Sequence, residues 1–74
     1  MKEVEYVIII HPDDTGGYWT EVPALPGCGS QGETVEEAVA MTKDAIQCYL
    51  VSLKRHGEPI PEERDIVLRV SVAA

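Results

Sequence analysis

The chain has little of what staples a small secreted domain or fills a large core. Its 74 residues include two cysteines, one tryptophan and no phenylalanine. Cys28 and Cys48 stand apart, with no Cys-x-x-Cys pair and no histidine cluster at zinc-finger spacing. A single Cys28–Cys48 disulfide stays open as an alternative, although a disulfide scaffold normally carries more cysteines. We therefore expect reduced thiols, a cytoplasmic location, and neither a metal nor another cofactor.

Basic residues are also scarce. Six Lys and Arg oppose thirteen Asp and Glu, which makes the formal net charge −7. Such a chain repels polyanions and anionic membranes, so nucleic-acid binding is not expected. The charge suits a basic partner, or it only keeps a small protein in solution. The apolar run at residues 7–10 is far too short for a signal core or a membrane span.

The length of the chain predicts one domain, residues 1–74, with a narrow margin of stability. A domain of this size buries only about 60% of the surface that its unfolded chain exposes. Small domains usually add disulfides, a metal or self-association to compensate. With the first two disfavoured, self-association is the expected solution.

Three strands are predicted before the middle of the chain. Residues 4–11 are β-branched and apolar on both alternating faces, which is typical of a central strand. A turn rich in Pro, Asp and Gly follows, and residues 18–22 form the return strand of a hairpin. Residues 27–32 can form a third, short edge strand.

A helix is predicted from Thr34 to His56. Thr34 and Glu37 form a Thr-x-x-Glu capping box, and Gly57 with Pro59 ends the helix. The residues expected on its buried face are Val35, Ala38, Val39, Ile46, Tyr49, Leu50 and Leu53. Met41, Ala45 and Cys48 widen this apolar arc, either as more core or as a subunit contact.

Residues 65–72 are predicted as a last strand, so the element order is β-β-β-α-β. A right-handed crossover would place this strand beside the first, in a mixed four-stranded sheet of order 3-2-1-4. The expected fold is α+β in two layers, with one helix on one face of the sheet. The other face, with Val7, Ile9 and Val67 or their alternates, would be apolar and uncovered, which favours an oligomer.

An ordered set of short motifs then identifies a family. Tyr18-Trp19-Thr20 precedes a Leu-Pro-Gly-Cys stretch at residues 25–28, and a Gly-x-Thr-x-x-Glu-Ala helix start spans residues 32–38. The helix leaves through Gly-x-x-Ile-Pro at residues 57–61. This combination, which covers nearly the whole chain, resembles the HicB antitoxins.

The resemblance implies a partial ribonuclease H-like fold that assembles as dimers or tetramers. It also implies a partner, the small basic RNA-cleaving toxin HicA, which such proteins block by occlusion. Many HicB antitoxins carry a further DNA-binding domain after this one. Because the chain ends after its last strand, operator binding is not expected.

Two groups of residues are singled out by these patterns. Those expected to contact a basic partner are Asp13, Asp14, Trp19, Glu33 and Glu36, four for their charge and Trp19 as a candidate hot spot. For Trp19, core or dimer packing is the first interpretation, and the partner hot spot is the sharper hypothesis. Those expected to shape the backbone are Pro26, Gly27, Cys28, Gly32, Thr34, Glu37 and Gly57.

Two other functions compete with partner binding. A metal-dependent nuclease would need converging carboxylates, and Asp13, Asp14, Glu21 and Glu33 are the only set worth testing. The first strand has no Asp at its centre, where the ribonuclease H resemblance requires one, so we expect no enzymatic activity. The second alternative is an orphan self-assembling domain that binds a small molecule or another protein.

Overall fold

The computed structural model describes residues 3–74, which form three short strands followed by one long helix. The strands are β1 (Ile9–Pro12), β2 (Tyr18–Glu21) and β3 (Gln31–Gly32), and the helix is α1 (Val35–Arg55). Both strand pairings are antiparallel, and the order in the sheet is β1-β2-β3. The predicted α+β class and the predicted meander are confirmed.

The predicted fourth strand is not part of this sheet. Residues 65–72 have no strand pairing, and their side chains are exposed. In the described residues β1 pairs only with β2, so it is an edge strand and the order 3-2-1-4 is not formed. The relation to ribonuclease H depends on that strand and stays a prediction.

All three strands are shorter than predicted because of the loop that joins β2 to β3. At the end of β2, Val22 N still donates to Cys28 O at 3.1 Å, but the next residue, Pro23, cannot donate to a ladder. Residues 4–8 therefore lack strand pairing, and β1 begins at Ile9. The same loop uses Cys28, whose N–H donates to Leu25 O at 2.9 Å, so β3 keeps only two residues.

The helix begins and ends where the capping residues predict. Thr34 Oγ1 accepts a hydrogen bond from Glu37 N at 3.1 Å. The Glu37 carboxylate accepts in turn from Glu33 N at 3.0 Å, one residue earlier than in a standard capping box. Gly57 has a φ of 68°, which suits the left-handed residue that follows a helix. No helix within residues 3–74 combines the length and apolar character of a membrane span.

The hydrophobic core is small and lies between the β2–β3 loop and one face of α1. Val22, Leu25 and Cys28 form its centre, and Ala38 is buried nearby. The side chains packed around the centre are Tyr6, Ile8, Ala45, Ile46, Tyr49 and Leu50. Thus the predicted helix face is mostly correct.

The helix positions that differ from expectation lie at the margins of this face. Val35, Met41 and Cys48 are exposed, because three short strands cannot cover the whole apolar arc. Thr42, which has no place in the predicted apolar set, is fully buried.

Candidate functional site

The Leu-Pro-Gly-Cys stretch closes the core with a tight turn. Pro26 and Gly27 occupy its two central positions, and Gly27 has a φ of 79°, as a type II turn requires. Tyr49 donates from its hydroxyl to Pro26 O at 3.0 Å, which fixes the turn against α1. Both cysteines are free, and burial raises the pKa of the Cys28 thiol. Cys28 is therefore a protonated core residue at neutral pH and not a nucleophile.

A buried hydroxyl pair joins the sheet to the helix. Thr42 donates to Ala38 O at 2.6 Å, which leaves its oxygen to accept from the Thr20 hydroxyl, also at 2.6 Å. Thr20 Oγ1 then accepts from Ser30 N at 2.9 Å. Each hydroxyl proton thus has one acceptor, and the network connects β2, the residue before β3, and α1.

Gly32 lets β3 lie directly against the first turns of α1. A Cβ at this position would lie 2.5 Å from Ala38 N and 2.9 Å from Ala38 Cα. Both are backbone atoms, so neither can rotate away. The missing side chain of Gly32 therefore serves a close internal contact between β3 and α1.

An open acidic cleft forms where the β1–β2 turn, β3 and the start of α1 meet. Its volume is about 380 Å³. Asp13, Glu33 and Glu37 contribute its charges, and no Lys or Arg occurs among its lining residues in the described chain. Tyr18 and Met41 add apolar surface. The cleft is thus a negatively charged surface with some apolar area beside it.

Hydrogen bonds hold two of the cleft carboxylates, those of Asp13 and Glu37, in place. Asp13 Oδ1 accepts from Thr15 N at 2.9 Å and from Thr15 Oγ1 at 2.8 Å. These bonds, the backbone one first, hold the pKa of Asp13 below its ordinary value. The Glu37 carboxylate is oriented by Glu33 N, as described above. The negative charge is therefore built into the fold of the turn and the cap.

Trp19 lies on the opposite face of the sheet from this cleft. Thr20, the next residue, points toward α1, and alternation directs Trp19 away from it. The indole stacks on His11 at a ring-centroid distance of 4.0 Å, and His11 Nε2 lies 3.2 Å from Glu21 Oε2. Trp19 remains 42% exposed. It is a surface aromatic on the uncovered face and not a core residue.

The five predicted partner-binding residues therefore do not form one patch. The cleft contains Asp13 and Glu33, while Asp14 and Glu36 are exposed but do not line it. Trp19 belongs to the other face. Glu37 was predicted only as a capping residue, and its second role in the cleft follows from the reach of its carboxylate across the helix start.

The carboxylates proposed for a nuclease are not gathered. Glu21 contacts His11 on the uncovered face, whereas Asp13 and Glu33 line the cleft. Across residues 3–74, no group of three or more His, Cys, Asp or Glu side chains is placed to hold a metal ion.

Comparison with known proteins assigns the family. Residues 6–71 match the family model described as the HicB-like antitoxin of bacterial toxin–antitoxin systems. This match covers almost the entire chain, including every element described above. The chain belongs to the HicB-like antitoxin family.

Individual relatives agree with this assignment. A protein of Thermoplasma acidophilum, UPF0150 protein Ta0767, is 48% identical over 60 residues, which are 81% of this chain and 87% of the relative. A UPF0150 protein of Synechocystis, ssr1765, is 39% identical over 90% of this chain and 85% of its own length. Antitoxin HicB 1 of Photorhabdus laumondii is 37% identical over 82% of this chain, but the match spans only 39% of that longer protein.

Proposed function

We propose that the chain is a non-catalytic antitoxin that neutralises a small, basic, RNA-cleaving toxin of the HicA type. It would act in the cytoplasm, as a homo-oligomer, by covering the surface with which the toxin binds RNA. The match of residues 6–71 to the HicB-like antitoxin family carries this proposal.

Electrostatics supports the choice of a basic partner. The formal net charge is −7, and the cleft of Asp13, Glu33 and Glu37 concentrates part of it on one surface. A toxin that binds RNA must itself present a positively charged surface to phosphates. An acidic surface competes for those same Lys and Arg side chains, which accounts for inhibition by occlusion.

Trp19 is our second candidate contact, at a distance from the charges. An exposed Trp on an open sheet face offers large apolar area with little entropy to lose, as hot-spot residues do. The toxin would need to reach around the sheet to use both surfaces. Otherwise the two surfaces serve different partners, the cleft the toxin and the Trp19 face another copy of the chain.

The test is to purify the tagged chain from the cells that naturally make it and to identify what co-elutes. We expect a small basic protein in near-equal molar amount, and we expect it to cleave RNA once it is separated from the chain. Recovery of the chain with copies of itself only would overturn the antitoxin proposal in favour of the orphan self-assembling domain.

A further inference from the structure

The C-terminal segment, residues 65–72, is an apolar strand sequence that has no partner in the described chain. Its five large apolar side chains are between 62% and 86% exposed; they are Ile66, Val67, Leu68, Val70 and Val72. The segment is β-branched and alternates, as a strand does. A contiguous exposed surface of this kind marks an interface.

The free edge of β1 is the second unpartnered feature. On one side β1 pairs with β2, and on its other side the described chain makes no ladder. Residues 7–10 are apolar on both faces, with Ile8 packed toward the core and Ile9 on the uncovered face. An apolar strand with an open edge is a template for one more strand.

The chain reaches this edge and then leaves it. Tyr6 donates from its hydroxyl to Pro61 O at 2.6 Å, and Val7 N donates to Glu63 Oε1 at 2.7 Å. Glu63 also accepts from Asp65 N at 3.1 Å, and beyond this point the side chains are exposed. The segment is therefore tethered beside the edge but does not cover it.

Because the C-terminal segment is not packed on the sheet, the molecule is less compact than a domain of its length should be. The radius of gyration is 14.3 Å and the longest dimension is 48 Å. A compact domain of this length would have a radius of gyration of about 11 Å. Residues 65–72 and the free edge of β1 thus have matching apolar sequences, but the path of the backbone keeps them apart within one copy.

We propose that two copies of the chain exchange their C-terminal segments, so that residues 65–72 of each copy pair with the free edge of β1 in the other. The exchange is reciprocal and twofold, and each sheet gains its fourth strand from its neighbour. Charges agree with this pairing, because Arg69 lies in the donated segment and Arg64 directly precedes it, whereas Glu3 and Glu5 precede the accepting strand; Asp65 is the one acidic residue of the segment. The exchange goes beyond antitoxin activity and does not depend on any toxin.

The test begins with the full chain alone. Light scattering should give at least 16.2 kDa, which is twice the chain mass of 8.1 kDa. In a mixture of isotope-labelled and unlabelled chains, filtered NOE spectra should connect methyl groups of residues 65–72 with those of residues 7–10 in the other copy. A monomer, or NOEs between these segments within one copy only, would overturn the exchange. So would a segment that becomes protected only when a different protein is added.

Two matched variants separate the strand from the charge. Leu68→Lys places a cation at a position that the exchange buries, whereas Ser71→Lys adds the same cation at a polar position of the segment. We expect Leu68→Lys to raise the dimer dissociation constant about 100-fold or more, and Ser71→Lys to raise it less than about threefold. The helical circular dichroism should persist in both. Equal weakening by the two variants, or none by Leu68→Lys, would overturn the proposal.

Discussion

The hydroxyl groups of Thr20 and Thr42 form a buried hydrogen bond between the sheet and the helix. Both are buried, and each can donate only one proton. Thr42 donates its proton to the carbonyl of Ala38. In its hydrogen bond with Thr20, therefore, Thr42 must be the acceptor. From the sequence alone, a threonine in the middle of a helix is expected at the surface. Thr42 is buried instead because its hydroxyl has a partner, Thr20, that lies 22 positions away.

Removing either hydroxyl should lower the free energy of unfolding, by different amounts. Thr42→Val should cost about 1 kcal/mol, because Thr20 can turn its proton to Ser30 O, now 3.3 Å away. Thr20→Val should cost about 2 kcal/mol, since Ser30 N loses its acceptor. Urea unfolding of both single variants and the double variant measures the coupling. Strictly additive losses would contradict a shared network.

Just before the C-terminal segment, the Glu63 carboxylate connects this part of the chain to the backbone of Val7. Hydrogen bonds from Val7 N, and then from Asp65 N, hold the pKa of Glu63 below its ordinary value of 4.5. Burial, followed by the charge of Glu63, raises the pKa of the neighbouring Tyr6 hydroxyl. Tyr6 therefore keeps the proton that it donates to Pro61.

The link through Glu63 should weaken in acid. Because its folded pKa is lowered, its contribution is complete above about pH 4.5 and is lost as the pH falls through the folded value. An NMR titration should show the Val7 amide shift moving with a midpoint below 4.5. Glu63→Gln should abolish this step, and Glu62→Gln should keep it. A step that survives Glu63→Gln would contradict the assignment.

At the scale of elements, local signals predicted the structure well. The bounds of α1 follow from Thr34 and Gly57, and the hairpin follows from its Pro, Asp and Gly turn. These signals act between residues close in sequence, so one sequence is enough to interpret them. The tight turn at Pro26 and Gly27 is another such case.

Pairings between distant residues were predicted less well. The segment at residues 65–72 has the composition of a strand, but composition does not say with which edge, in which copy, it would pair. Likewise, the acidic residues could be identified from the sequence. Their distribution over two faces could not, because it depends on which side chains of β2 point to which face of the sheet. Trp19 and Asp13 are close in sequence and lie on opposite sides of the sheet.

The contact between β3 and α1 gives an element-scale prediction. Gly32→Ala should lower the free energy of unfolding by about 3 kcal/mol, because its Cβ would overlap backbone atoms of Ala38. Gly57→Ala is the control, since it meets open space and carries only the cost of its positive φ, about 1 kcal/mol. Thermal or urea unfolding measures both. Equal losses would contradict the close approach of β3 to α1.

At the scale of the whole molecule, the distribution of charge should govern the rate of encounter with the proposed toxin. Glu33→Lys and Glu58→Lys each change the formal net charge from −7 to −5, since one anion becomes one cation. Of these two glutamates, Glu33 lines the cleft and Glu58 does not. We expect Glu33→Lys to slow association with the toxin about tenfold at low salt, and Glu58→Lys to slow it much less. Stopped-flow rates at several salt concentrations check this, and an effect that is equal for both variants would remove the cleft from the account.

RNA cleavage by the proposed toxin, purified as the partner of the chain, tests the proposed antitoxin function most directly. The cleavage rate is measured while purified chain is added back in increasing amounts. Occlusion predicts that cleavage falls in proportion to the chain added and stops once every toxin molecule is bound, with no metal required. Cleavage that continues in the presence of a molar excess of folded chain would contradict the antitoxin function.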